Sequence, residues 1–274
     1  MVDVQSREDS RNIPIQKVGI RRLRYPVSVL DKNAGRQSSV ATVDLLVDLP
    51  HHYKGTHMSR FVEVFHAHYK QVEMPHFLDM LEEVRVSLEA ERAYCELRFP
   101  YYMEKKAPVS GLPSLLYYDC SFTGEVSATN RHFVVGVDVP VTTLCPCSKE
   151  ISARGAHNQR GRVGLKLELG PFFWIEDVIE IVENAASCGI YTLLKREDER
   201  YVTERAYDNP AFVEDLVRDV CLGIENRYEF PWFSVEAENN ESIHSHDAFA
   251  YLERKRDQVA AKPTIKPGKE RIHD

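Results

Sequence analysis

The chain has 274 residues and a mass of 31.5 kDa, and 43% of its residues are hydrophobic and 28% charged, which is typical of a globular protein with one large or two modest domains. Its formal net charge of −7 excludes a global positive field for nonspecific binding of nucleic acid. No segment approaches the ~20 apolar residues of a membrane span and the first eleven residues lack an apolar core, so we expect a cytoplasmic protein with no membrane and no nucleic-acid partner.

The first half of the chain opens with strand patterns. Val43, Leu45, Val47 and Leu49 alternate with other residues at a period of two, which predicts a half-buried strand that ends at Pro50. Apolar stripes at helical spacing and further alternating segments follow. The predicted order is strands over 20–30 and 43–49, helices over 59–68 and 75–88, and strands over 93–99 and 116–122.

The second half repeats this order of patterns. The first of its helices is expected to end near Gly189, a C-terminal cap, and the charged string KREDERYVTE over 195–204 is typical of a solvated connection between two helices. The predicted order is strands over 133–141 and 163–169, helices over 175–182 and 210–224, and strands over 227–236 and 243–253.

This repetition indicates an α+β chain built from two tandem ββααββ-like modules with antiparallel sheets. We expect a disordered N-terminal tail over 1–12, a first module over 13–126, a second module over 127–258 and a polar C-terminal tail over 259–274.

The stretch VPVTTLCPCSKEISARGAHNQRGR, residues 139–162, begins where a predicted strand ends. Cys145 and Cys147 flank a proline, and His157 follows twelve residues after the first cysteine. A thiolate and an imidazole in one loop could supply two ligands of a divalent-metal site, with a third ligand from elsewhere and water in an open position. Two small hydrophobic residues and an isolated surface histidine are the alternative. The other four cysteines fit apolar patterns and are interpreted as packing residues.

Two further clusters carry groups of chemical interest. The charged string over 195–204 could deliver an acidic third ligand, and Glu214 lies at the border of the apolar stripe of the following helix, where a carboxylate can accept hydrogen bonds from an amidine-like edge. His244 and His246 are two residues apart at the start of the last predicted strand, so they would share one face and could transfer protons near neutral pH. A polar edge strand is the alternative.

Together these clusters resemble GTP cyclohydrolase I of the prokaryotic type IB. The strings PVTTLCPCSKEIS, GAHNQR and YKGTHMSRF, and the segment over 195–219, are similar to that family's motifs, and the resemblance extends over about 13–253. It implies the tunnelling fold, in which antiparallel sheets of several modules assemble into a barrel with helices outside. It also implies homotetramers with active sites at subunit interfaces.

The resemblance also implies roles for particular residues. The metal ligands would be Cys145, His157 and Glu199, with one divalent ion per active site, Zn²⁺ or else Mn²⁺ or Fe²⁺. Glu214 would anchor the guanine edge. The residues expected in the catalytic machinery are Cys145, Cys147, His244 and His246.

The implied reaction converts GTP and water to 7,8-dihydroneopterin triphosphate and formate, the first step of tetrahydrofolate and pterin synthesis. The chain lacks a GxxxxGK[ST] phosphate loop, so side-chain cations must hold the triphosphate. The candidates are Lys149, Arg160 and Arg60, followed by Arg154 and Lys195.

Two other functions fit the same patterns. A tunnelling-fold nitrile reductase would use a nucleophilic cysteine and NADPH in place of a metal. A catalytically silent purine-binding or scaffold protein of the same fold would bind GTP without turnover. The spacing from Cys145 to His157 and the acidic third ligand favour the metal enzyme.

Overall fold

The computed structural model describes residue 5 and residues 7–256. Within them, alternating strands pair into one nine-stranded antiparallel sheet of order β1-β2-β3-β4-β5-β6-β8-β9, with the short β7 paired to β5. The strands are β1 (Ile15–Asp31), β2 (Gly35–Leu49), β3 (Arg92–Lys106), β4 (Pro113–Ser127), β5 (Arg131–Leu144), β6 (Asn158–Glu168), β7 (Cys188–Gly189), β8 (Trp232–Asn239) and β9 (Ala248–Lys255).

The helices α1, α2, α4 and α6 pack against this sheet, because each has an apolar stripe that joins the buried strand residues in one core. In α2, for example, Phe77, Leu81 and Val84 are fully buried against the strands. Gly124 of β4 allows this approach, since a Cβ there would come within 2.6 Å of the Phe77 ring. The helices are α1 (Met58–His68), α2 (His76–Ser87), α3 (Pro146–Ile151), α4 (Ile175–Ala185), α5 (Arg196–Asp208) and α6 (Val213–Arg227).

Several sequence predictions are confirmed. The α+β class and the antiparallel pairing of strands are as expected, and the helices over 59–68 and 75–88 correspond to α1 and α2. The four cysteines interpreted as packing residues are buried, and burial raises the pKa of each thiol. They are Cys95, Cys120, Cys188 and Cys221.

Other predictions are wrong in the second half. The charged string over 195–204 is not a connection but most of helix α5, because Asp198 accepts the backbone N–H of Lys195 and so caps the helix. Gly189 is not a helix cap, since α4 ends at Ala185 and Gly189 lies in β7 opposite Val141.

The boundaries of the last two strands also differ from the prediction. Helix α6 continues through Arg227, so β8 begins only at Trp232. Residues 241–247 form a turn-containing loop before β9, because Asn240 donates a side-chain hydrogen bond to Asp247 and closes it.

Within the segment predicted as a tail over 1–12, the described residues 7–9 pair with the backbone of residues 52–54. The backbone N–H of Asp9 donates to the carbonyl of His52, that of Lys54 donates to Arg7, and Glu8 forms an antiparallel bridge with Tyr53. Backbone pairing of this kind leaves no compositional signature. The polar tail predicted over 259–274 lies outside the described residues. Among the described helices, none has the length and apolar character required to cross a bilayer.

Candidate active site

The β5–β6 hairpin brings Cys145 and His157 together. Its last registered pair is Leu144 opposite Asn158, so the next residue on each side is one of the two expected ligands. The backbone N–H of Cys145 donates to the carbonyl of His157 at 3.1 Å. Two residues twelve apart in sequence are therefore held opposite each other by an extension of the sheet ladder.

The cysteine begins helix α3 as its N-cap. Its sulfur accepts the backbone N–H of Ser148 at 3.4 Å, and Pro146 occupies the first helical position, where its missing N–H costs nothing. The hydroxyl of Ser148 in turn accepts the backbone N–H of His157 at 3.1 Å. Cys145 is partly exposed and Cys147 is exposed, in contrast to the four buried cysteines.

The ring of His157 is oriented by residues that sequence reasoning missed. Its Nδ1 lies 3.0 Å from Oε1 of Gln159, and Nε2 of Gln159 donates to the buried hydroxyl of Thr143 at 3.0 Å. With Nδ1 engaged, Nε2 is the nitrogen left to bind a metal, an arrangement typical of histidine ligands. Thr143 and Gln159 face each other in the strand register, which the periodicity of the sequence alone does not determine.

The acidic side chain nearest this ring was also missed. Oε2 of Glu241 lies 3.8 Å from Nδ1 of His157, and both side chains are largely buried. Glu241 begins the loop that leads to the histidine pair, and the backbone N–H of Asn240 fixes that loop to the carbonyl of Arg160.

The histidine pair lies in this loop and not on a strand. His244 and His246 are exposed, and their rings stack with centroids 5.1 Å apart and planes 22° apart. The prediction that they project from one strand face is therefore wrong, because the polar residues around them form turns before β9 begins at Ala248. Their side-by-side placement arises from ring stacking.

Glu199 lies on α5 and Glu214 on α6, and the start of α6 is fixed beside the cysteine loop, the segment 145–157 that joins β5 to β6. Both carboxylates are exposed and lie in the first turn of their helices. The connection between the helices is fixed to the strand end, since the backbone N–H of Ala211 donates to the carbonyl of Leu144, the residue before Cys145. Glu214 follows Ala211 by three residues, so its helix starts beside the cysteine loop.

The candidate phosphate-binding cations are dispersed. Lys149 donates to the carbonyl of Tyr207 near the end of α5 and lies over its ring, whereas Arg160 is exposed and lines a cleft of about 330 Å³ on the other face of the sheet. Arg60 lies on α1 and donates to the carbonyl of Ser87 at the end of α2. Arg60 therefore belongs to the helices of the first half, while Lys149 lies in the cysteine loop and Arg160 follows that loop in β6.

The described residues contain no group of three or more His, Cys, Asp or Glu side chains that converges closely enough to hold a metal ion. Cys145 and His157 fit such an ion in donor type, and their backbones are paired. Glu199 matches as a donor type, but the structure does not bring its carboxylate into a closed cluster with the other two.

The chain is similar to known proteins over nearly its whole length. A family model described as "GCHY-1: Type I GTP cyclohydrolase folE2" matches residues 1–250. A "GTP cyclohydrolase FolE2" of Syntrophus aciditrophicus is 53% identical over 254 residues, which cover 93% of this chain and 100% of that protein. One of Geotalea uraniireducens is 49% identical over 269 residues, covering 98% and 99% of the two chains.

Among solved structures, the uricase from Arthrobacter globiformis is similar to this chain in fold. The TM-score is 0.52 at 8% sequence identity, and the match covers 90% of this chain and 96% of that one. At this identity the likeness concerns the fold alone, a mixed α/β architecture with an antiparallel sheet of the tunnelling type.

Proposed function

The chain belongs to the FolE2 family of type I GTP cyclohydrolases, and from that membership we propose how its residues convert GTP and water to 7,8-dihydroneopterin triphosphate and formate. The GTP cyclohydrolase I activity itself, in folate biosynthesis, follows from the family. The observation that carries the residue assignment is the pairing of Cys145 with His157 at the end of the β5–β6 hairpin.

In this proposal one divalent metal ion is held by Cys145, His157 and Glu199 in each active site. Thiolate, imidazole and carboxylate suit Zn²⁺ and also accept Mn²⁺ or Fe²⁺. The support for the first two ligands is their backbone pairing and the contact of Nδ1 of His157 with Gln159, and the support for the third is its donor type and family motif. When bound, such an ion lowers the pKa of a coordinated water from 15.7 toward about 7 and so supplies a nucleophile at neutral pH.

The remaining chemistry requires positioned proton donors and acceptors. The reaction opens the imidazole ring of guanine, releases C8 as formate, and closes a new ring between the freed amine and the rearranged ribose. Two waters are consumed and one is released, so several protons must move. We assign these transfers to His244 and His246, whose imidazole nitrogens can both donate and accept protons, with Cys147 of α3 as a further group.

Glu214 determines how the base is bound. A carboxylate accepts two hydrogen bonds from the N1–H and N2–H edge of guanine, and no other common purine offers that pair of donors. Its position in the first turn of α6, three residues after the contact between Ala211 and Leu144, supports this role. Lys149, Arg160 and Arg60 are the proposed partners of the triphosphate.

We further propose that the chain contains two tandem halves, 13–126 and 127–258, and assembles as a homotetramer with interfacial active sites. β1 and β9 each have a single neighbouring strand in the described sheet, which leaves both edges open for pairing. The face of the sheet away from the helices exposes Leu115, Tyr117 and Phe249, which supports contact with further copies. A second copy would also explain how Arg60 reaches the cysteine loop. The free thiols suit the reducing cytoplasm.

The experiment that tests this function uses the full-length, metal-replete protein with GTP and no NADPH. We expect release of formate and a pterin that becomes fluorescent on oxidation. A protein that releases neither, or that requires NADPH for turnover, contradicts the proposal and favours the reductase chemistry. GTP binding without turnover favours the silent purine-binding protein. Light scattering of the same sample should give four times the chain mass of 31.5 kDa.

A further inference from the structure

Asp198 is a fully buried carboxylate in a helical turn whose other side chains are exposed. It has no exposed surface, whereas Arg196, Glu197 and Glu199 around it are open to solvent. Four donors satisfy it. The backbone N–H groups of Val109 and Ser110 donate to Oδ1 at 2.8 and 2.9 Å, and the Ser110 hydroxyl and the Lys195 N–H donate to Oδ2 at 2.7 and 2.9 Å.

Only one of these four bonds is needed to cap a helix. Asp215 occupies the same third helical position in α6 and caps it with a bond from the Phe212 N–H at 3.2 Å, while remaining partly exposed. Burying a carboxylate costs several kcal/mol unless its oxygens are fully hydrogen-bonded. The three additional bonds to Asp198 therefore do more than cap the helix. They satisfy the buried carboxylate and connect the first turn of α5 to another part of the chain.

The additional bonds come from the loop between β3 and β4, residues 107–112, which lies almost ninety residues earlier in the chain. The same hairpin also holds the segment that leads into α5. Nζ of Lys105, at the end of β3, donates to the carbonyl of Ile190 at 2.8 Å and to Glu183 at 2.6 Å. The β3–β4 hairpin thus fixes both the segment that precedes α5 and the first turn of that helix.

We propose that Asp198 is a positioning residue that, through the β3–β4 loop, sets the direction in which the next residue, Glu199, presents its carboxylate to the metal. This inference rests on the proposed ligand set. Because four hydrogen bonds hold Asp198 inward, they fix the backbone of the first turn, and Glu199, about 100° further around the helix, extends from that fixed backbone to solvent. Without the hydrogen bonds between Asp198 and the β3–β4 loop, the first turn of α5 would hold Glu199 in several orientations, and the site would bind the ion more weakly.

The test measures metal affinity of the full-length protein by competition with a chelator, together with hydrogen exchange of the apoprotein. Asp198→Asn should weaken Zn²⁺ affinity by about tenfold or more. It should also speed exchange at the amides of 109, 110 and 195. Ser110→Ala removes one bond without changing any charge and should weaken affinity by about threefold. Asp215→Asn, which removes the equivalent cap from α6, should leave Zn²⁺ affinity unchanged.

The outcomes separate this inference from the ligand assignment. If Glu199→Gln weakens Zn²⁺ binding while Asp198→Asn and Ser110→Ala bind as wild type, the positioning role is wrong and the ligand set stands. A loss of thermal stability without a loss of affinity also overturns the positioning role, since a purely structural role would produce it. If Glu199→Gln itself binds Zn²⁺ as tightly as wild type, the proposed ligand is wrong and the inference falls with it.

Discussion

Replacing Glu214 by glutamine should weaken GTP binding without disturbing the fold or the metal. Glu214 is exposed in the first turn of α6, where a negative charge at a helix N-terminus contributes about 0.3–1 kcal/mol, so the variant should melt within a few degrees of wild type. Glutamine keeps one acceptor oxygen but loses one charge-assisted hydrogen bond, worth about 1.5–3 kcal/mol. Affinity for GTP should therefore fall by about 10- to 100-fold.

The assay is calorimetric titration of the protein with GTP in the absence of metal, followed by kcat/KM for formate release with metal. Inosine triphosphate, which lacks the N2 amine, provides the specific check: wild type should discriminate against it, and Glu214→Gln should discriminate far less. Asp219→Asn, an exposed carboxylate further along the same helix, is the matched control and should bind GTP normally. Unchanged GTP affinity in Glu214→Gln, or a loss of bound metal, would refute the assignment of Glu214 to the guanine edge.

Three other changes have distinct expected outcomes. Cys145→Ala should lose bound metal and formate release together by elemental analysis and activity assay, and a variant that keeps stoichiometric metal and full rate contradicts the ligand assignment. Glu183→Gln should lower the free energy of unfolding in urea by about 3 kcal/mol, because it removes the only carboxylate paired with the ammonium group of the nearly buried Lys105 among the described residues; a loss under about 1 kcal/mol would show that the ion pair contributes little. Asp44→Asn should lower the free energy of unfolding by about 1 kcal/mol at neutral pH. Burial raises the pKa of Asp44, but hydrogen bonds from the backbone of Arg22 and the side chain of Arg21 lower it by more, so these bonds stabilise the ionised carboxylate in the folded protein. A carboxyl group whose pKa is lower in the folded than in the unfolded protein stabilises the fold at pH values above its unfolded pKa of 3.8, and this stabilisation is lost as the pH falls through the folded pKa. The difference in unfolding free energy between wild type and Asp44→Asn should therefore be smaller at about pH 3 than at pH 7.

The strands and helices with strong periodicity could be predicted because their burial is one-sided. The residues Val43, Leu45 and Val47 alternate in sequence and are all buried in β2, and the stripe of α2 packs as its spacing indicated. Helix α5 could not be predicted in this way, since its only fully buried charged residue is Asp198 and its stability depends on a loop from the first half of the chain. Local pattern carries no information about such distant donors.

The residues of the candidate site also differ in whether the sequence alone could predict them. Cys145 and His157 could be paired from the sequence because a hairpin joins them, and the structure places them opposite each other. Gln159 and Glu241, which surround the histidine ring, were missed because their roles depend on strand register and on a loop from a distant part of the chain. The histidine pair was assigned to a strand because alternation alone does not distinguish a strand from a turn rich in serine and aspartate.

The measurement that tests the account most directly is a titration of metal-free protein with Zn²⁺ while formate release from GTP is recorded. Formate release should be absent at first, rise in proportion to added metal and level off at one equivalent per active site, and Cys145→Ala should remain inactive throughout. Formate release by the metal-free protein, or a Cys145→Ala variant that follows the wild-type titration, would contradict a metal site built on the cysteine loop.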